Sequence, residues 1–541
     1  MKSLFPLLAS SAILLSSCAT NNNQTPPPPH SYTISGTVLN LVANNTGLVL
    51  QNNGGDNLSI TASGTFRFAT SVASGSAYSV TVASQPTNPA QQCSVTNGSG
   101  TATTNVSNVK VECGHNEWAW MAGSQNINQI GTYGTLGTPA PDNTPGGRHN
   151  SATWIDSSGD LWLFGGYGKD TNGNLLDLND FWKFSAGQWT WMGGSTIGGQ
   201  SGSYGSLGVP TVYGIPSARF EAVTWTDASG SFWMFGGGGY DSVGHNATLN
   251  DLWKYSAGEW TWMGGSALSN QNGVYGTLGA PAAGNIPGAR SMAVVWVDSS
   301  DNVWLFGGLG YDVSSTTAGL LNDLWRYHAG EWTWMSGAKV ANQKGVYGTQ
   351  GTAAAANVPG ARFGAHSWID GSGNLFLFGG VGYDSNGSSL VLNDLWKYSG
   401  GQWTWMGGSK VGDQPGIYGT KGMPSANNIP GARQFGIAWS DAAGNGWLFG
   451  GNGYYGPSSV GELNDLWKYS GGQWTWVSGS NVGNQNSTFG AEGILDPGNA
   501  PSGRDFTSSW IDPDGNIWLF GGWGQIPGTQ GNLNDLWMYM P

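Results

Sequence analysis

Six arginines recur down the chain at nearly fixed spacing: Arg148, Arg219, Arg290, Arg362, Arg433 and Arg504. Some thirty residues after each stands an aspartate, in the series Asp180, Asp251, Asp323, Asp394, Asp465 and Asp535. A guanidinium is a planar fork of donors matched to a carboxylate, so six on one rim would form a site for carboxylate-bearing ligands. The same six could instead pair with the six aspartates and serve the fold alone, a role that identical residues in every copy suit better. Tyrosines form two further series. Tyr133, Tyr204, Tyr275, Tyr347 and Tyr418, with Phe489 in the sixth copy, could stack on a ligand ring or anchor their own loops. Tyr240, Tyr311 and Tyr383, each followed by Asp, lie where the copies differ most and would set specificity. Glu221 and Asp505 break the repeat just beyond an arginine and are the nearest candidates for an acid or base.

These residues are placed by a repeat of about 71 residues. Its glycine pairs fall at Gly165-Gly166, Gly236-Gly237, Gly307-Gly308, Gly379-Gly380, Gly450-Gly451 and Gly521-Gly522. Such a period marks a supersecondary unit that must stack on its neighbours to bury its apolar face. In the copy around Gly379 four strands are expected: Phe363 to Ile369, Asn374 to Phe378, Asp394 to Tyr398 and Gln402 to Met406. The glycine pair is read as the end of the second strand. Tight turns join strands one to two and three to four, which makes each copy one antiparallel propeller blade. The chain stops after a third strand, Leu536 to Pro541, and the missing W-x-W strand appears early, as Trp118-Ala119-Trp120. An N-terminal strand should therefore complete the last blade and close the ring. Of 30 tryptophans, 29 fall at repeating strand positions and read as blade-to-blade core; only Trp523 is left over.

The order P-G-x-R, W, F-G-G, N-D-x-W, W-x-W resembles the kelch repeat in all six copies. The resemblance implies an all-β, six-bladed kelch-type β-propeller over residues 115–541, akin to the central domain of galactose oxidases. In kelch domains that grip acidic peptides, arginines at the equivalent strand start contact the ligand. The copper-radical chemistry of the galactose oxidases needs a Tyr crosslinked to Cys plus two His. Residues 115–541 contain no cysteine, and His115, His149, His245, His328 and His366 fall at unrelated repeat positions. No metal or other cofactor is expected. A sialic-acid mutarotase is the enzyme alternative, with no catalytic residue that maps onto a motif here.

Alternating strand direction puts loops 2–3 and 4–1 on one face. All the length lies there: about two dozen residues in each 4–1 connector and about a dozen in each 2–3 loop, such as Val381 to Asn393. Long loops on a rigid scaffold are where recognition usually lives.

The ends place the chain. Residues 1–18 read as an export signal, an apolar stretch too short to span a bilayer. Leu15-Ser16-Ser17-Cys18 resembles the bacterial lipobox, which implies lipidation of Cys18; Ala19 after it implies outer-membrane delivery. Residues 19–31, with four consecutive prolines, form a semi-rigid tether. Residues 32–114 alternate in short runs between Asn/Gly turns, as in a small β-sandwich spacer, and resemble a sandwich module of exported bacterial proteins. Cys93 and Cys113 read as one disulfide. A net charge of −13 argues against nucleic acid and anionic-membrane partners. The expectation is a lipid-anchored monomer on either side of the outer membrane, presenting its long-loop face to a glycan or protein ligand.

Overall fold

Residues 30–41, 47–86, 92–114 and 116–541 are described by the computed structural model of this chain; among them are strands and no helix. They belong to two compact units divided between Gly114 and His115. The export signal, Cys18 and nearly all of the proline-rich tether lie outside the described residues.

In the first unit, one four-stranded sheet orders Gly64–Arg67, Ile34–Leu39, Val106–Gly114 and Gln92–Thr96. The other orders Asp56–Ile60, Leu48–Asn52, Ala77–Ser84 and Ser99–Thr101. Alternation decides what each buries: Ile34 and Val38 from one sheet meet Leu48, Leu50 and Val80 from the other in a shared core. Antiparallel pairing sets Cys113 opposite Cys93, and the two are joined as a disulfide.

The second unit holds six antiparallel sheets. Blade four shows the plan. Its inner strand comes in two pieces, Arg362–Phe363 and His366–Ile369, followed outward by Leu375–Tyr383, Ser389–Ser399 and Gln402–Gly407. The sixth sheet is completed by Glu117–Ala122, which runs antiparallel to Thr529–Met540 with Trp118 opposite Tyr539 and Trp120 opposite Trp537. The expected clasp is present.

Two expectations change. The glycine pair does not end the second strand. At Gly379 and Gly380 (φ +66° and +87°) the ladder shifts register, and pairing resumes until Tyr383 meets Ser389. The pair is a bulge inside a long hairpin, a conformation open to glycine at little cost. The 2–3 loop is consequently short. Asp384 accepts the N–H groups of Asn386 and Ser388 at 2.8 and 3.0 Å, closing a tight turn. Only the 4–1 connectors are long, and much of their length is structural. In the connector entering blade four, Ala354 bridges Trp403 and the Gly351 N–H donates to the Trp405 carbonyl at 2.8 Å. Each connector thereby covers the outer edge of its own blade, which would otherwise offer unpaired backbone groups.

Closure is visible at the axis. Two residues after each arginine, one backbone N–H donates to the corresponding carbonyl of the preceding blade. The cycle runs Glu221 to Asn150, Asn150 to Phe506, Phe506 to Phe435, Phe435 to Gly364, Gly364 to Met292 and Met292 to Glu221, at 2.8–3.2 Å. All six have φ between +53° and +62°, the turn that interrupts every inner strand. The tryptophans fill the seams between blades. Trp154 Nε1 donates to the Trp233 carbonyl of the next blade at 2.9 Å, and Trp510 Nε1 to the Trp162 carbonyl at 3.0 Å.

Candidate functional site

The recurring motif residues meet in one hydrogen-bond network per blade. In blade four, Arg362 Nη1 and Nη2 donate to Asp394 Oδ1 and Oδ2 at 2.7 Å, and Nη1 also reaches the Gly379 carbonyl at 2.9 Å. Nε donates to the Gly360 carbonyl at 3.0 Å. Tyr347 Oη and Trp396 Nε1 both donate to Asp394 Oδ2 at 2.7 Å. The bulge thus serves the arginine by turning a carbonyl toward it. The other five blades repeat the arginine–aspartate fork, with Ser502 Oγ and Ser487 Oγ near Arg504 where Phe489 lacks the tyrosine hydroxyl.

This corrects the reading of the arginines as a ligand-binding rim. Arg148, Arg219, Arg290, Arg362, Arg433 and Arg504 are at most 1% exposed, and their guanidinium forks are occupied by their own aspartates. A ligand carboxylate would have to displace a bidentate buried partner, leaving a charge unpaired. The five Y-G-T tyrosines are likewise anchors of their own connectors. Tyr240, Tyr311 and Tyr383 are half-buried at the ends of second strands, with side chains still partly open to solvent. The aspartates after them, Asp241, Asp312 and Asp384, are buried and close the hairpin turns.

What remains for chemistry is the register at which the copies differ. One residue past the arginine the blades carry His149, Phe220, Ser291, Phe363, Gln434 and Asp505; three before the motif aspartate they carry Asp177, Thr248, Leu320, Val391, Glu462 and Asn532. Between blades three and four these positions are apolar. From blade five round to blade one they are polar and acidic, and here the ring leaves polar groups unsatisfied.

At the seam of blades five and six, Glu462 and Asp505 are each 5% exposed. Asn452 Nδ2 donates to Glu462 Oε1 at 3.0 Å, but Glu462 Oε2 and Asp505 Oδ1 have no hydrogen-bond partner. Burial, and for Asp505 the neighbouring Glu462, push both carboxyls well above the usual carboxylate range. At the next seam His149 Nδ1 donates to Asn532 Oδ1 at 2.7 Å, while Asn532 Nδ2, fully buried, has no partner. Burial holds the His149 imidazole below its ordinary value, which favours its neutral form. Trp523, the one tryptophan outside the repeat, stands opposite Asp505 in the ladder, 6.4 Å from the His149 ring.

On the axis itself a cavity of about 180 Å³ is lined by residues of all six blades, among them Asn150, Ser151, Glu221, Phe435, Phe506 and Thr507. The Phe435 and Phe506 rings stack there with centroids 3.9 Å apart. Glu221 Oε1 accepts from Asn150 Nδ2 at 3.0 Å, and burial raises the Glu221 carboxyl to about 8. Asp177, bonded to Asn246 Nδ2 at 2.7 Å, is raised by burial to about 6.

Glu221 and Asp505, both singled out in the sequence, thus belong to this axial layer. Sequence reasoning missed Glu462, Asp177, Asn532 and His149. Aligning the six copies column by column would have found them, since each stands where its counterparts are of other types.

Sheets, bulges and axial ring together define an all-β propeller. No known family's sequence profile matches the chain, and no curated protein matches it in sequence. Among solved structures, YjhT is 14% identical, with 73% of this chain and 95% of that one covered and a TM-score of 0.40. A fungal alcohol oxidase of the AA5 family, in complex with copper, is 14% identical over 76% of this chain and 77% of its own, with a TM-score of 0.39. A protein of unknown function from Dyadobacter fermentans is 9% identical over 79% and 98%, with a TM-score of 0.42. The residues of this chain do not fit a copper site built on Cys, Tyr and two His. The propeller has no cysteine, and among the described residues no three His, Cys, Asp or Glu are grouped to hold a metal ion.

Proposed function

We propose that this protein is a binding module whose propeller recognises a glycan or protein ligand at its axial mouth, between blades five and two. One observation carries the reading. At the two positions where the copies differ beside the arginine and the motif aspartate, Glu462 Oε2, Asp505 Oδ1 and Asn532 Nδ2 are buried without partners. Folded proteins rarely leave such groups unsatisfied except where a ligand or water completes them. The three partly open tyrosines, Tyr240, Tyr311 and Tyr383, supply contact surface on blades two to four. A glycan array and a peptide screen against the mature chain, with a Glu221→Gln/Asp505→Asn double variant beside it, test this. A ligand lost at least tenfold by a variant with native circular dichroism supports the reading; no ligand, or one indifferent to the variant, sinks it.

A second reading, acid–base chemistry on a sugar, is favoured by the Glu462–Asp505 pair, since two adjacent carboxyls held above their usual range can pass a proton. The same mixtures followed by NMR for anomeric exchange or bond cleavage separate the two. A carboxylated sugar is the poorer substrate, because the six guanidiniums it would need are committed to aspartates.

The module would be held at a bacterial outer membrane by a lipid on Cys18. A Cys18→Ala protein should leave the membrane fraction, and its retention there would dismiss the anchor.

A further inference from the structure

One connector departs from the other five, at the outer edge of blade two. The five carry a buried asparagine: Asn143, Asn285, Asn357, Asn428 and Asn499. Each donates its amide to a tryptophan carbonyl of the outermost strand at 3.0–3.1 Å. Each also donates to the carbonyl five residues before it, at 3.0–3.2 Å. In the connector entering blade two the same place is held by Gly214, so the Trp260 and Val209 carbonyls lose that donor. Beside it lies a cavity of about 230 Å³, lined by Phe181, Tyr213, Gly214, Tyr255, Glu259 and Trp260 among others.

The two residues before Gly214 break the repeat as well. The other connectors have Pro141-Asp142, Ala283-Gly284, Ala355-Ala356, Ala426-Asn427 and Pro497-Gly498 there; this one has Val212-Tyr213, 73% and 82% exposed. Every other described tryptophan, tyrosine and phenylalanine is buried or half-buried. A large ring is costly to leave in water, and this propeller leaves one there only beside a cavity. Grooves at the equivalent place between blades five and six and between six and one keep Asn499 and Asn143 in their walls and have no exposed aromatic.

These groups match the two sides of a sugar ring. A pyranose presents polarised C–H groups to an aromatic face, which is negative, and hydroxyls to acceptors at its edge. Tyr213 supplies the face. The Trp260 and Val209 carbonyls, freed of the amide, and the Glu259 carboxylate supply acceptors. The cavity is smaller than those of drug-sized ligands and suits a single ring. No lysine or arginine lines it, so an acidic sugar finds no counter-charge.

We propose that this rim, independently of the axial mouth, binds a neutral hexopyranose unit of a glycan, stacked on Tyr213 with its hydroxyls on the carbonyls that Gly214 leaves open.

Saturation-transfer NMR titrations of the mature chain test this with cellohexaose, maltohexaose and chitohexaose, and with hexagalacturonate as the charged comparison. At least one neutral probe should bind, and hexagalacturonate should bind more weakly. Tyr213→Ala, at an exposed side chain, should weaken the neutral probe about fivefold, the worth of one aromatic contact. Gly214→Asn, which restores the residue of the other five blades, should weaken it as much while keeping native circular dichroism. If no neutral probe binds, if hexagalacturonate binds as well, or if only one of the two substitutions weakens binding, the site is overturned. Association of the wild type in size-exclusion chromatography that Tyr213→Ala abolishes would assign the loop to a contact between copies instead, and overturn it too.

Discussion

Asp394 shows what a satisfied buried charge requires in this fold. Its two oxygens receive both arms of Arg362, the Tyr347 hydroxyl and the Trp396 indole, each at 2.7 Å. A buried ion pair stabilises only when its other hydrogen-bonding capacity is also met, and here it is met by residues drawn from four motifs of the repeat. Glu221 and Asp505 have no such fork, and the consequence is a dependence on pH. Their folded values are raised above the unfolded ones, Glu221 from 4.5 to about 8. Over that window the folded state holds more protons than the unfolded state, so stability is lost as pH rises. Carboxylates held low, such as Asp227 at about 2, act in the opposite sense and only in acid. Thermal unfolding at pH 5 and 8.5 should therefore show a lower Tm at the higher pH. The Glu221→Gln/Asp505→Asn variant should lose most of that difference, by gaining stability at pH 8.5. A wild type equally stable at both would mean that these carboxyls are ionised in the fold.

At the scale of strands, the sequence was legible wherever one residue type recurs with the period. Six W-x-W pairs against only five complete third-to-fourth hairpins were enough to require the Glu117–Ala122 clasp. The glycine pair misled because its role is contextual. Two glycines after an apolar run look like a strand end, yet at Gly379-Gly380 the ladder takes a bulge and continues for four further pairs. Only the carbonyl it offers to Arg362 explains the pair, and that contact spans 17 residues and two strands. The arginines were ambiguous for a related reason, since a guanidinium suits a ligand carboxylate and an internal aspartate equally. The site was the least legible part. Glu462 and Asp505 come from adjacent blades, and His149 meets Asn532 across 383 residues of sequence. Within one blade, none of these contacts exists.

The second unit is a ring closed twice: at the axis by six backbone hydrogen bonds, and at the rim by the clasp. The two closures are unequal. Five blades have a fourth strand tied to the third by a tight hairpin, as in Ser389–Ser399 and Gln402–Gly407. The sixth takes its fourth strand from the far end of the propeller sequence, so re-forming it after local opening means closing a loop of some 400 residues. Ala119, fully buried between Trp118 and Trp120, pairs with Met538 on one side and Leu495 on the other. Proline there lacks the N–H and leaves a ladder carbonyl unpaired, at a cost of about 1–3 kcal/mol. Thr404, the middle residue of W-T-W in blade four, is the control, since its strand can re-pair locally. Ala119→Pro should lower the urea midpoint more than Thr404→Pro does. It should also cause concentration-dependent association in size-exclusion chromatography, because Thr529–Met540 is then an open edge. Equal midpoints and a monomeric Ala119→Pro protein would mean that the axial hydrogen-bond ring alone holds the circle shut.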